Sequence, residues 1–201
     1  FRSSEGTLAV VTQATLRLLR KPEAVLTLLA GFGSIDDAGG AVSAIIGRGI
    51  VPAAVEMMDR LTIDAAEASV RPNFPKSNAV LIVELDGPRL EVDELFAQVE
   101  AICRACGASS VEIARTAAER DRIWKGRKAA FAAMGRVSPN YYVQDGVVPR
   151  TRLPEVLRRI RELESRSGLR IGNVFHARDG NLHPLICYDE SVRSEEHSSE
   201  L

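Results

Sequence analysis

The clearest strand in the sequence is AVLIVELDG, residues Ala79–Gly87. It is a continuous run of β-branched and other large apolar residues, and such a run is typical of a buried strand. The run AVLTLLAGF, residues Ala24–Phe32, has the same character and is bounded by Pro22 and Gly33. The two runs therefore predict two buried strands.

Helical patterns and further strands alternate around these runs. Ser34 is a suitable N-cap for a helix that ends near Gly47–Gly49, and Asp59 is a suitable N-cap for a short helix. Alternating strands and helices with hairpin signals predict an α+β fold, in which an open sheet has helices on one face. The other predicted elements are strands over 51–58 and 109–115, helices over 90–106, over 151–167 and from about 116 onwards, an extended segment over 140–149, and β segments on both sides of Asp179-Gly180.

The composition limits the class of protein. The chain has 201 residues, of which 45% are hydrophobic, so it is large enough to bury a core and is not a disordered tail. Its 26 basic and 27 acidic residues leave a net charge of -1, which provides no net attraction to nucleic acid or to an anionic membrane. No apolar run reaches the roughly 18 residues of a membrane-spanning helix, and three cysteines without framework spacing predict a cytoplasmic protein.

The two ends of the chain have unusual features. The sequence begins with Phe1 and enters a strand-like segment, Ala9–Leu19, which indicates a start inside a domain. Residues 191–201 are polar, without pattern, and similar to a translated sequencing adapter. We therefore expect a non-native tail there and give His197 no functional role.

The strongest chemical signal is NVFHARDGNLHPLICY, residues Asn173–Tyr188. If Asp179 and Gly180 form a type I′ turn, His176 lies directly opposite His183, with the two Cβ atoms about 4.5–5.5 Å apart. Both rings then reach one divalent cation, although a complete site needs a further ligand from elsewhere. A turn centred on Gly180-Asn181 would instead place Arg178 opposite His183 and weaken this geometry.

A second signal lies in the helix Glu119–Met134, where Arg127 falls within an apolar stripe. A guanidinium in such a place needs a partner, so either an acid substrate or an internal Asp or Glu is expected to meet it. A purely structural ion pair is the more ordinary interpretation. Lys128 is the adjacent candidate for substrate binding, and Trp124 is expected to belong to the core.

Two weaker signals are a small-residue turn and a pair of cysteines. Backbone amides near Gly6, in SSEGTLAVV, are suited to the close approach of a phosphate or a ring. Cys103 and Cys106 have the spacing of a redox or metal motif, but they lie on the apolar stripe of a helix. We interpret these cysteines as core residues.

Three segments resemble the flavin-linked oxidases and dehydrogenases of 2-hydroxy acids, a family that includes the bacterial glycolate oxidase flavoprotein subunit and D-lactate dehydrogenases. The resemblance covers residues 1–190. In the segment NVFHARDGNLHP, Arg178 replaces a family glycine, which requires either a negative φ at that residue or a tolerated backbone strain. The segments are SSEGTLAVVTQATLRLLRKPE, similar to the end of the family's FAD-binding domain, RDRIWKGRKAAF, similar to its W-x-x-R-K helix, and NVFHARDGNLHP, similar to its H-x-G-D-G-N-x-H-P signature.

The resemblance implies a domain organisation. Residues 1–22 would be the last strand segment of an FAD-binding domain, and residues 23–190 would be a truncated, ferredoxin-like cap domain that carries the substrate site. Glu5, Gly6 and Thr7 would lie near the FAD.

The resemblance also implies a reaction, the oxidation of a small 2-hydroxy acid such as glycolate or D-lactate to the 2-oxo acid. The α-hydrogen would pass to the flavin, and Arg127 would hold the substrate carboxylate. His176 and His183 would bind a divalent metal, zinc or manganese, that polarises the substrate hydroxyl. Electrons would leave through partner subunits or a quinone, which would allow peripheral contact with a membrane.

Two other functions remain open at this point. One is a non-catalytic, ferredoxin-like module that binds a small acid through Arg127. The other is a metal-dependent hydrolase that uses His176, Asp179 and His183 with a bound water. The second requires the Asp179 side chain to point at the metal rather than to form the turn.

Overall fold

The computed structural model describes residues 7–18 and 20–191, and within these ranges it contains five α-helices and nine strands. The helices are α1 (Ile35–Gly47), α2 (Arg60–Val70), α3 (Arg89–Ala105), α4 (Ala117–Ala133) and α5 (Leu153–Ser167). The strands are β1 (Ala24–Phe32), β2 (Ala54–Asp59), β3 (Ala79–Gly87), β4 (Ala108–Ala114), β5 (Asn140–Val143), β6 (Gly146–Val147), β7 (Arg170–His176), β8 (Asn181–Leu182) and β9 (Pro184–Tyr188).

The strands form one antiparallel arrangement in the order β4-β1-β3-β2-β7-β8-β6. Strand β9 pairs with β7 and with β5. The first four strands have the order 4-1-3-2, and α1 and α3 make the connections expected of a ferredoxin-like unit. The predicted α+β, ferredoxin-like class is confirmed, with α2 added between β2 and β3.

Helices cover both faces of the sheet, whereas the sequence had predicted helices on one face. Helices α1, α3 and α5 pack on one face over residues such as Leu28 and Leu81. Helices α2 and α4 pack on the other face over residues such as Leu29 and Ile82. Because successive residues of a strand point to opposite faces, the continuous apolar runs of β1 and β3 require cover on both.

The helix starts predicted from capping residues are confirmed. Ser34 Oγ accepts a hydrogen bond of 3.0 Å from Asp37 N at the start of α1. Asp59 Oδ1 accepts one of 3.0 Å from Thr62 N at the start of α2. Thr116 begins α4 and forms a reciprocal capping box with Glu119. Each cap satisfies an amide that would otherwise lack a partner within the helix.

The segment over 7–18 contains neither helix nor strand, although Ala9–Leu19 was predicted to be strand-like. The side chain of Val10 is 82% exposed, and that of Leu18 is 89% exposed. A strand needs a neighbouring backbone for its hydrogen bonds, and none of the described strands pairs with this segment. Residues 1–6, Leu19 and 192–201, which include His197, lie outside the described residues.

The cysteines of α3 belong to the core, as predicted. Cys103 is buried among α3 and sheet residues, and Cys106 packs against the same core. Burial, with smaller contributions from Cys106 and Glu100, raises the pKa of the Cys103 thiol to about 12. A thiol of this kind is protonated at neutral pH and is a poor nucleophile or metal ligand. No helix in the described ranges is long and apolar enough to cross a bilayer.

Candidate active site

The turn between β7 and β8 has four residues, Ala177–Gly180, instead of the two that were predicted. Asp179 N donates to His176 O at 3.2 Å, and of these four residues only Gly180 has a positive φ, 71°. A type I′ turn would require a positive φ at both of its central residues. His176 therefore pairs with Asn181, and the predicted pairing of His176 with His183 is wrong by two residues.

The two histidines nevertheless lie on the same face of the sheet. Because side chains alternate along a strand, a register shift of two residues leaves every side chain on its original face. His183 thus becomes a diagonal neighbour of His176 instead of its direct partner. The ring centroids are 5.4 Å apart and the ring planes are nearly perpendicular, at 89°.

Glu56 on β2 connects this histidine pair to helix α4. Its Oε1 lies 2.7 Å from His176 Nδ1. Its Oε2 accepts from Arg127 Nε at 2.9 Å and lies 2.7 Å from Arg127 Nη2. Glu56 is 6% exposed and Arg127 is 5% exposed. One buried carboxylate therefore holds a guanidinium on one oxygen and an imidazole on the other.

Of the two partners that the sequence allowed for Arg127, the structure shows the internal acid. Glu56 is not among the site residues predicted from the sequence, although a signal for it is present. Glu56 is an acid between the apolar residues Val55 and Met57 of the strand AVEMMD, and a buried acid needs a positively charged or hydrogen-bonding partner just as a buried arginine needs an acid. Matching the two unpaired charges would have suggested the contact.

Arg127 belongs to a stripe of four side chains along α4, spaced by four, three and four residues. Its guanidinium carbon lies 5.6 Å from the centre of the Phe131 ring. The Phe131 ring in turn lies 5.8 Å from the His183 ring, in an edge-on arrangement. Phe131 therefore lies close to both the arginine and the second histidine. The stripe consists of Arg120, Trp124, Arg127 and Phe131.

A second buried glutamate, Glu84 on β3, anchors the start of the same stripe. It accepts from Arg120 Nε and Nη2 at 2.8 and 2.9 Å. Thr27 Oγ1 and Trp124 Nε1 also donate to it, at 2.8 and 2.7 Å. Burial acts to raise the pKa of Glu84, but the hydrogen bonds from Arg120, Thr27 and Trp124 outweigh it and lower the pKa. Two glutamate–arginine pairs thus fix α4 on the sheet.

His183 is held in a mostly buried position, with a side chain that is 14% exposed. Its Nδ1 lies 3.5 Å from Asp145 Oδ1 in the segment between β5 and β6. Burial lowers the pKa of His183, and the nearby His176 and Arg127 act in the same direction against Asp145. The ring is therefore neutral at pH 7, which is the form that binds metal ions.

Several predicted site residues lie away from this cluster. Lys128 is exposed and borders a shallow depression with Trp124. It therefore lies away from Glu56 and the histidine pair. Thr7 is exposed within the segment 7–18, and Glu5 and Gly6 lie outside the described residues. The placement of these three residues near FAD stays a prediction.

The turn residues Arg178 and Asp179 also point away from the histidines. Arg178 is not among the residues with positive φ, as its replacement of a family glycine requires, and its Nη1 donates to Ala53 O at 3.0 Å. The Asp179 side chain is 70% exposed and lies 3.7 Å from Arg178 Nε. The hydrolase interpretation needed Asp179 at the metal, and the observed geometry does not support it.

Metal ligands are incomplete within the described part of the chain. No group of three or more His, Cys, Asp or Glu side chains that could hold a metal ion occurs among these residues. His176 and His183 are thus at most two protein ligands of a site that needs further donors. The divalent metal stays a prediction.

A separate cavity of about 410 Å³ lies at the opposite end of β2 and β7. It is lined by residues that include Asp59, Asn173 and Arg161, and it does not include the histidine pair or Arg127. Burial raises the pKa of Asp59 to about 6, although Thr62 and Asn173 donate hydrogen bonds to its carboxyl group. The Glu56 cluster is the candidate site because a buried carboxylate, a buried guanidinium and two histidines lie together there.

Comparison with known proteins finds one matching family and several similar sequences. The family described as FAD linked oxidases, C-terminal domain, matches residues 21–200. The glycolate oxidase subunit GlcD of Escherichia coli is 48% identical over 202 residues, which cover 98% of this chain and 40% of that protein. GlcD of Bacillus subtilis is 37% identical over 94% of this chain and 40% of that protein. A probable mitochondrial D-lactate dehydrogenase of Danio rerio is 30% identical over 97% of this chain and 39% of that protein.

Solved structures show the same fold. An alkyldihydroxyacetonephosphate synthase has a TM-score of 0.62 at 15% identity, and the match covers 85% of this chain and 38% of that one. A p-cresol methylhydroxylase with bound substrate has a TM-score of 0.59 at 11% identity, and the match covers 85% of this chain and 40% of that one. At these identities the likeness concerns the fold alone.

Proposed function

The chain belongs to the family of FAD-linked oxidase C-terminal domains, and we propose that it is the substrate domain of a flavoenzyme that oxidises a small 2-hydroxy acid. Glycolate and D-lactate are the proposed substrates, and the products are the corresponding 2-oxo acids. The chain spans about 40% of the length of the curated relatives it matches. The observation that carries the proposal is the convergence of Arg127, His176 and His183 around the buried carboxylate of Glu56.

Arg127 is the proposed ligand of the substrate carboxylate. Glu56 occupies the Nε–Nη2 edge of the guanidinium, while Nη1 makes no hydrogen bond to the residues that the structure describes. The remaining edge of an arginine fork matches a second carboxylate in the same plane. The Arg127 side chain is 7% exposed, and burial strengthens a charged hydrogen bond.

His176 and His183 are the proposed protein ligands of a divalent cation, zinc or manganese. Two imidazoles on one tetrahedral ion, each nitrogen about 2.1 Å from it, place their ring centres about 5 Å apart. The observed centroid distance of 5.4 Å fits this arrangement. The contact of His176 Nδ1 with Glu56 is also the outer-sphere contact usual for metal-bound histidines. When bound, the cation would supply positive charge that lowers the pKa of the substrate hydroxyl.

The two contacts together define an orientation for the substrate. With its carboxylate on Arg127 and its hydroxyl towards the histidine pair, the α-carbon lies between fixed groups on α4 and β7. The hydroxyl would give its proton to a general base and the α-carbon would give up a hydride as the carbonyl forms, and FAD, when bound, would supply the hydride acceptor. Transfer of electrons to a partner subunit or a quinone rests on family resemblance alone.

The test compares two arginines in the complete flavoprotein. Arg127→Lys keeps the charge but loses the fork, so we expect the KM for the 2-hydroxy acid to rise about 10–100-fold, the loss of one charged hydrogen bond or more. Arg120→Lys is the matched control, because Arg120 makes the same kind of pair with Glu84 on the same helix. Flavin absorbance and protein yield monitor folding in both variants.

Two results would contradict the proposal. Unchanged kinetics in the Arg127→Lys variant would return Arg127 to a structural role. A flavin-loaded protein that oxidises neither glycolate nor D-lactate would refute the assigned reaction.

For the metal, His183→Ala should reduce bound zinc or manganese without altering the flavin spectrum, whereas full activity after thorough chelation would remove the cation from the mechanism.

A further inference from the structure

We propose that Glu56 is a positioning residue that fixes the proton of His176 on Nδ1 and leaves the lone pair on Nε2 for a ligand. The same carboxylate occupies the Nε–Nη2 edge of the Arg127 guanidinium, which leaves the edge that includes Nη1 for a ligand. The binding of a cation at Nε2 and of a substrate carboxylate at Arg127 rests on the proposed function, whereas the tautomer of His176 does not depend on it. None of the motifs in the sequence marks Glu56 for this role.

The register of the sheet brings Glu56 and His176 together. Glu56 and His176 are direct partners in the antiparallel pair of β2 and β7, so their side chains emerge side by side on the same face. Arg127 reaches Glu56 from α4, which packs over this face. Three separate elements therefore meet at one carboxylate, and the Glu56 side chain, 8% exposed, has little freedom to leave them.

The donors and acceptors around Glu56 determine which ring nitrogen of His176 carries the proton. Arg127 can only donate, and a carboxylate paired with it can only accept. The contact of 2.7 Å between Glu56 Oε1 and His176 Nδ1 therefore requires the ring proton on Nδ1. A neutral imidazole has one N–H, so the lone pair must be on Nε2.

Replacement of the Glu56 carboxylate by an amide of the same size should reverse the tautomer of His176. In a Glu56→Gln variant the amide oxygen must face Arg127, because Arg127 offers no acceptor. The amide NH₂ must then face His176 Nδ1 and donate to it. The ring is forced into the opposite tautomer, with the proton on Nε2, where it blocks the binding of a cation.

Glu84→Gln provides a matched control. Glu84 is also buried, lies on the same face of the sheet, and pairs with an arginine of α4. It contacts Thr27 and Trp124 instead of a histidine. Both variants remove one negative charge from a buried glutamate–arginine pair, but only Glu56→Gln touches His176.

The experiment uses the 201-residue chain with ¹⁵N-labelled histidines, of which there are three. Spectra recorded above the ordinary histidine pKa of about 6.5 distinguish the two neutral tautomers. We expect His176 to carry its proton on Nδ1 in the unaltered chain and in Glu84→Gln, and on Nε2 in Glu56→Gln. A competition assay with zinc should show affinity about 10–100-fold weaker in Glu56→Gln than in Glu84→Gln.

The outcomes separate this inference from the proposed function. A proton on Nε2 in the unaltered chain would overturn the inference even if the variants failed to fold. An unchanged tautomer in a folded Glu56→Gln variant, or equal effects of the two variants on His176, would also overturn it. The expected tautomers without any zinc binding by the unaltered chain would support the positioning role and count against the metal site of the proposed function.

Discussion

Substitution of Gly180 by alanine tests how tightly the turn between His176 and His183 is packed. Gly180 has φ of 71°, and a Cβ at this position would overlap the carbonyl oxygen of Val148. Val148 N also donates to Gly180 O at 2.9 Å, which holds the two backbones together. A side chain at Gly180 therefore has to displace the segment after β6.

The expected loss of stability has two parts. Alanine in the left-handed region costs about 1 kcal/mol relative to glycine. Overlap with a backbone carbonyl cannot be relieved by a rotamer change and costs about 1–3 kcal/mol more. Gly168→Ala isolates the first part, because Gly168 has φ of 70° and no atom within 4 Å of the position of a Cβ. We expect losses of about 2–4 kcal/mol for Gly180→Ala and about 1 kcal/mol for Gly168→Ala.

The assay is urea unfolding of both variants and the unaltered chain, followed by a spectroscopic signal of secondary structure. The comparison of the two variants cancels the backbone contribution and leaves the cost of the displaced segment. We also expect Gly180→Ala alone to disturb zinc binding, since the turn sets the distance between His176 and His183. Equal destabilisation by the two substitutions would refute the close packing of Gly180 against Val148.

Two further predictions concern helix starts. Because burial raises the pKa of Asp59 from 3.8 to about 6, the folded chain keeps a proton that the unfolded chain releases, so stability falls as pH rises through this interval. Between about pH 4 and pH 7 the free energy of unfolding should fall by about 2 kcal/mol relative to Asp59→Asn. A constant difference between the two chains in urea titrations would contradict the shift. Thr116→Ala should cost about 1 kcal/mol through loss of the capping box with Glu119, and an unchanged thermal midpoint would argue against that cap.

The elements of the fold were predictable because their signals are local. Apolar runs bounded by Pro or Gly marked β1 and β3 with the bounds that the structure has. Capping side chains marked the starts of α1 and α2, since a cap bonds to amides within one turn. The shared face of His176 and His183 was also predictable, because it survives an even shift in register.

The exact register of the histidines was not predictable from the Asp-Gly pair. The same dipeptide fits a two-residue turn and the observed four-residue turn, and the choice depends on how β8 pairs with β6 and how Gly180 contacts Val148. These contacts join parts of the chain that are about thirty residues apart. Local sequence carries no record of them.

Local sequence is enough to predict the α+β class, the helix starts, and a charged arginine on an apolar helix face that needs a partner. The assembled sheet and helices are needed to see that this partner is Glu56, that the same carboxylate holds His176, and that Lys128 and Asp179 lie outside the cluster. The physical reason is that burial dictates that a charge must be paired, whereas the identity of the pair depends on strands and helices 50 or more residues apart that meet only when the sheet is assembled.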